Sequence, residues 1–170
     1  MDIVKAFYDE GKVDKSIEVI CNGFKTDDYL NKISDLINNG FENITPILDN
    51  YRELDKLTES IDTTFNIGIR IASEEEPKFE FYTSRLGIGY KDIIPYYSQK
   101  IAEHPNARLK MLHFFINTGI KDTAYYWNEL YKCLRVYARL KKVAPEVDSL
   151  NIGGGFPIKT SLNFDYDYQY

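Results

Sequence analysis

Short apolar runs rich in β-branched residues recur along the chain, with longer stretches of helical periodicity between them. The runs are Ile17 to Cys21 ("IEVIC"), Ile44 to Leu48 ("ITPIL"), Phe65 to Ile71 ("FNIGIRI"), Leu109 to Ile116 ("LKMLHFFI") and Val147 to Ile152 ("VDSLNI"). Each is too short for a stable helix and is flanked by polar or turn-forming residues, which predicts five strands. Between the first two, "TDDYLNKISDLINNG" puts Leu30, Ile33, Leu36 and Ile37 on one helical face, with Thr26 to cap its start and Gly40 to end it. "YKDIIPYYSQKIAEH" predicts a second helix with Pro95 in its first turn and Ile94, Tyr97 and Ile101 on one side. "KDTAYYWNELYKCLRVYARLKKV" predicts a long one, with Tyr126, Leu130, Cys133, Leu134, Tyr137 and Leu140 in one stripe and its basic residues toward the C-terminal end, where they complement the helix dipole.

Strands alternating with helices define an α/β class with a parallel sheet, because parallel neighbours need a crossover connection. Periodicity leaves both a doubly wound sheet and part of a (β/α)8 barrel open. A complete barrel takes about 250 residues, and this chain has 170. It opens in an apparent helix ("DIVKAFYDEG") and ends at "FDYDYQY", so a barrel reading expects an incomplete one: about five βα units, forming a single domain over residues 1–170.

Charge and composition narrow the partners. A net charge of −5 argues against nucleic acid or an anionic membrane surface. Runs such as "MLHFFI" are too short to span a bilayer, and "MDIVKAFYDEGK" carries charges where a signal peptide needs an apolar core. Fourteen tyrosines suggest pockets or interfaces. Cys21 and Cys133 each stand alone and only two histidines are present, so neither a disulfide framework nor a metal knuckle is expected; a reducing, cytoplasmic setting fits.

The candidate chemistry centres on "LNIGGGFPIKTS", Leu150 to Ser161. A Walker loop would need glycine directly before its Lys, and here Ile158 precedes Lys159 while Pro157 removes an amide; a G-x-G-x-x-G fingerprint fails at Ile158 as well. Two readings stay open. Glycines at the C-terminal end of a strand let the backbone approach an anion and offer it N–H groups, or they form a tight turn with no ligand.

The other strand ends carry "ICNGFK" (Ile20 to Lys25), "IRIA" (Ile69 to Ala72), "SRLGI" (Ser84 to Ile88) and "LHFFINTG" (Leu112 to Gly119). In this order, with "NIGGGFP", they resemble the pyridoxal-phosphate-dependent decarboxylases of the alanine-racemase-like fold, and most of all the biosynthetic arginine decarboxylase branch. The resemblance covers nearly the whole chain. It implies pyridoxal 5'-phosphate as cofactor, with Gly153, Gly154 and Gly155 holding its phosphate, the Thr118 hydroxyl assisting, and Arg70 near the pyridine ring. Phe115 occupies the place of a family His that stacks on the ring. A phenyl group can stack but cannot donate a hydrogen bond or carry charge, and His113 either shifts its role or is a core residue. Arg85 matches a basic residue at the subunit interface.

The resemblance further implies an enzyme that decarboxylates L-arginine to agmatine for polyamine and spermidine biosynthesis, acts as a homodimer or higher oligomer, and leaves Mg2+ open for the parent protein. The lysine that forms a Schiff base with the cofactor is expected upstream of residue 1, and a β domain downstream, so the chain alone is expected to be inactive. Other readings are a family decarboxylase for diaminopimelate, ornithine or carboxynorspermidine, a non-catalytic regulatory homologue, and a free-standing α/β domain binding some phosphate ligand. The acidic "SEEEPKFEFY" reads as a solvated loop.

Overall fold

The computed structural model describes residues 1–72, 86–116 and 123–154. In chain order these form α1 (Asp2–Asp9), β1 (Glu18–Cys21), α2 (Asp27–Asn38), β2 (Asn43–Leu48), α3 (Arg52–Ser60), β3 (Phe65–Ala72), β4 (Ile88–Gly89), α4 (Ile93–Gln99), a 3-10 turn at Ile101–Glu103, β5 (Ala107–His113), α5 (Thr123–Val143) and β6 (Ser149–Asn151). All five expected strands are present. They pair in parallel in the order β1-β2-β3-β5-β6, while the two-residue β4 pairs with the end of β3.

Alternation along the strands sends one set of side chains under the helices and the other to a concave face. Cys21, Ile44, Leu48, Ile67, Ile69 and Leu112 join the main core on the helix side. On the concave side, the Cβ that Gly68 lacks would lie 2.3 Å from Ile47 Cδ1 and 3.3 Å from Met111 Cβ. Lys110, the extra residue where the β3–β5 register shifts, reaches Glu18 of β1 at 3.2 Å. β1 and β5 are three strands apart in the sheet, a flat separation of about 14 Å. Two side chains meet across it because the sheet curls, so the structure is a half-barrel rather than a doubly wound open sheet.

Local signals place the helices. Thr26 has extended backbone angles and its hydroxyl accepts from the Tyr29 amide at 3.3 Å, as expected of an N-cap. Gly40, at φ +86°, closes α2 by donating to the Ile37 carbonyl at 2.9 Å, with Phe41 donating to Leu36 at 3.1 Å. Two expected stripes are rotated. In α4 it is Ile93 and Tyr96 that are buried, with Ile94 and Tyr97 only partly so. In α5 Val136 is buried and Leu134 is exposed, because the stripe drifts around a helix of 21 residues. Trp127 and Tyr131 lie on the outward side of the same helix, and Phe114, Tyr126 and Trp127 form a chain of ring contacts, 6.0 Å between successive centroids. No described helix is long and apolar enough to cross a membrane.

Candidate functional site

The C-terminal ends of the parallel strands deliver their residues to one place. In β3 and β5, Arg70 is the register partner of His113, and in β5 and β6 His113 is the partner of Asn151. Asp49, one residue past β2, lies on the same side as Arg70, with 3.8 Å between Asp49 Oδ1 and Arg70 Nη1. Phe115 follows two residues after His113; its ring is nearly parallel to the imidazole, 15° between planes and 6.4 Å between centroids. The Arg70 guanidinium carbon stands 5.1 Å from the Phe115 ring centroid.

Several polar atoms in this cluster are buried without hydrogen bonds: both carboxylate oxygens of Asp49, Nε of Arg70 and Nδ1 of His113. Buried polar atoms are normally paired, since leaving one unsatisfied costs about 1–3 kcal/mol. Four at one set of strand ends concentrate unused hydrogen-bonding capacity there, which a polar group could take up. Burial drives the His113 pKa down to about 4, and the Arg70 cation pushes in the same direction; the Asn151 contacts oppose them and are outweighed. The imidazole is therefore neutral at pH 7. Burial raises the Asp49 pKa, while the cations of Lys25 and Arg70 act against that rise.

The glycine turn is built from the neighbouring strand. Gly153 has φ +70°, and a Cβ there would lie 2.7 Å from the Phe114 carbonyl oxygen and 3.1 Å from Phe115 Cδ2, so only glycine fits. Its N–H donates to Asn151 Oδ1 at 2.8 Å. At Gly154 a Cβ would meet nothing within 4 Å, so its backbone faces open space. Gly155, Thr118 and Arg85 lie outside the described residues, as do Ile158, Lys159 and Thr160. Arg70, His113, Phe115, Gly153 and Gly154 are thus the expected site residues that the structure brings to one end of the sheet.

A second buried ion pair supports the site from below. Lys25 Nζ donates to the carbonyls of Gly23, at 2.9 Å, and Ile47, and to Glu53 Oε2 at 3.1 Å, so its three donors are committed. Glu53, in the first turn of α3, also accepts from the Asp49 amide at 3.0 Å and from Asn50 Nδ2 at 3.1 Å. That set ties β1, β2 and α3 together and fixes the backbone that carries the Asp49 carboxylate. Neither Asp49 nor Glu53 was expected from sequence. In the chain they read as ordinary charges of a polar stretch, and their partners lie elsewhere in the sequence.

The donor set here suits an anionic, aromatic group: guanidinium N–H donors, a neutral imidazole, an aromatic wall and a glycine turn with one open residue. It suits a metal poorly. Among the described residues no group of three or more His, Cys, Asp or Glu could hold an ion, so Mg2+ finds no support there. A cavity of about 390 Å³ lies at the opposite end of the sheet, between α1 and the C-terminal part of α2, with Tyr8, Lys15, Lys32 and Phe41 in its lining. It is remote from the unpaired atoms.

A model of the family described as "pyridoxal-dependent decarboxylase, pyridoxal binding domain" matches residues 12–165. The biosynthetic arginine decarboxylase of Rhodopirellula baltica is 22% identical over 162 residues, covering 91% of this chain and 23% of the relative. The chain thus spans about a quarter of the length of the curated relatives it matches. Among solved structures, AQ1208 from Aquifex aeolicus superposes with a TM-score of 0.73 at 19% identity, over 96% of this chain and 38% of the other. Lysine decarboxylase from Selenomonas ruminantium gives 0.71 at 21% identity, over 95% and 40%. At these identities the structures share the fold, and this half-barrel corresponds to part of an alanine-racemase-like (β/α)8 barrel.

Proposed function

We propose that this chain, which belongs to the pyridoxal-dependent decarboxylases through their pyridoxal binding domain, is the cofactor-holding part of a decarboxylase acting on L-arginine. The observation that carries the reading is the group of unpaired buried atoms on Arg70, His113 and Asp49 at the strand ends. Pyridoxal phosphate, when bound, supplies the electron sink that allows a carboxyl group to leave as carbon dioxide. The chain's part is to bind and orient. Arg70 offers N–H donors to an anionic oxygen, neutral His113 offers a hydrogen bond without adding charge, and Phe115 walls the ring. Gly154, with Gly155 and the Thr118 hydroxyl, receives the phosphate, while Gly153 keeps the turn in place with its own amide already committed.

Arginine is favoured because relatives that align with about nine-tenths of this chain carry the name biosynthetic arginine decarboxylase. The product, agmatine, would enter polyamine and spermidine synthesis. A homodimer or larger assembly, with Arg85 at its interface, and a cytoplasmic setting belong to the same reading; the two buried, unpaired thiols suit it. The Phe115 ring, where the family has a stacking His, favours a second reading: a homologue that binds the cofactor without catalysis.

The parent gene product, incubated with pyridoxal phosphate and labelled arginine, ornithine, diaminopimelate or carboxynorspermidine, separates these readings by the carbon dioxide and amine released. Agmatine from arginine is the expected result. A different amine replaces the substrate assignment, and bound cofactor with no product from any of the four establishes the regulatory reading. The 170-residue chain alone is expected to bind the cofactor and release no carbon dioxide.

A further inference from the structure

Arg70 has only 11% of its side-chain surface exposed, faces the Asp49 carboxylate at 3.8 Å, and makes no hydrogen bond through Nε. Asp49 has none to either oxygen. The pair is thus held by charge across a gap longer than a hydrogen bond. An arginine bonded directly to a carboxylate commits two of its N–H groups to a fork and loses them for other use. Here the carboxylate compensates the buried cation while the donors on the Nε edge remain available. The flat face of the guanidinium is set separately, by the Phe115 ring 5.1 Å away. Asp49 itself is positioned by its backbone, whose amide is held by Glu53.

We infer that Asp49 and Phe115 are positioning residues for Arg70: the carboxylate locates the guanidinium by charge and the phenyl ring sets its plane, leaving its N–H edge to bind an anionic oxygen of the cofactor. The inference rests on the pyridoxal phosphate reading and adds a role for Asp49 and a second one for Phe115. It also gives the replacement of the stacking His a physical sense. A protonated imidazole at position 115 would repel the guanidinium, whereas a phenyl face attracts it.

The test is a double-mutant cycle on this chain, read by equilibrium dialysis of pyridoxal 5'-phosphate and by the pH midpoint of the bound cofactor's absorbance, for Asp49→Asn, Phe115→Leu, Arg70→Gln and both doubles with Arg70→Gln. Residues that act only through Arg70 cost nothing further once it is gone. Each positioning variant alone should weaken binding about tenfold; the Asp49 double should stay within about twofold of Arg70→Gln, while the Phe115 double keeps the residual loss from its own contact with the cofactor ring, smaller than its loss with Arg70 present. The midpoint supplies a sign that a structural role would not. Removing the Asp49 charge with Arg70 still in place lowers it, because a negative neighbour is lost; displacing Arg70 raises it. We expect Asp49→Asn to raise it, toward the Arg70→Gln value. Doubles that lose the product of the single effects, or a midpoint that falls, overturn the inference. Asp49→Asn has no hydrogen bond to forfeit, and if that protein still does not fold, the Phe115 cycle decides: a Phe115→Leu loss no smaller without Arg70 than with it overturns the inference. If the unaltered chain binds no pyridoxal phosphate, both the cofactor reading and this inference fail together; binding with additive losses removes the inference alone.

Discussion

Two buried ion pairs sit within a few residues of one another, and they are built to opposite specifications. In the Lys25–Glu53 pair every ammonium donor and both carboxylate oxygens have partners, in β2, in α3 and in the turns that follow β1 and β2. In the Asp49–Arg70 pair three polar atoms have none, and the charges stand 3.8 Å apart. Burial of ions is tolerated only when their hydrogen-bonding capacity is met. The saturated pair is therefore a fastener of the fold, and the unsaturated one keeps hydrogen-bonding capacity free at the candidate site.

Breaking the first pair gives the largest effect. Lys25→Met leaves Glu53 buried without its counter-charge and removes the bonds to the Gly23 and Ile47 carbonyls, which costs about 3–5 kcal/mol of folding stability. Urea unfolding of the variant measures it. A loss under about 1 kcal/mol would make the two pairs equivalent and erase the distinction.

His113 gives the next effect, through pH. Its pKa of about 4 in the folded chain lies below the ordinary value of 6.5, so between those limits the unfolded chain binds more protons. Stability accordingly falls as pH drops from 6.5 toward 4, by about 3 kcal/mol, and levels below that window. The raised Asp49 pKa acts in the opposite sense at the acid end. Unfolding free energies at a series of pH values should show this limb in the parent chain and a flatter one in His113→Asn. An identical limb in the variant would assign the dependence to another group.

The smallest change is expected in the stability of Asp49→Asn. It leaves Arg70 without its counter-charge, but the carboxylate has no hydrogen bonds to lose and burial already disfavours its charge, so unfolding should shift by about 1 kcal/mol, well under the Lys25→Met loss. Cofactor binding should fall by far more than that shift explains. The opposite pattern, large destabilisation with binding preserved, would place Asp49 with Lys25 and Glu53 among the fasteners.

The difference between the pairs also accounts for what could be read in the chain. Strands β1, β2 and β3 announce themselves as β-branched runs, β5 and β6 as short apolar runs between turn residues, and α2 does so through Thr26, Gly40 and its stripe. α3 is silent: its buried face is Leu54, Leu57 and a glutamate, and a buried Glu53 looks like any solvated charge until its lysine, 28 positions earlier, is folded against it. β4, with two residues, has no period to detect. Arg70, His113 and Phe115 were found through their resemblance to family positions. Asp49 was not, because its meaning lies in unpaired oxygens, a property of the packed structure that no local pattern encodes.

The chain has a single tryptophan, and its position makes it an optical reporter. Trp127 is 54% exposed at the start of α5, and its ring contact with Tyr126, which in turn touches Phe114, brings it within two side chains of the strand that ends in His113. Pyridoxal phosphate absorbs light in the region where tryptophan emits, so a cofactor seated at the strand ends would drain that emission by resonance energy transfer. A native fluorophore and a native quencher would then form a ruler across the half-barrel, readable without a label or a substrate.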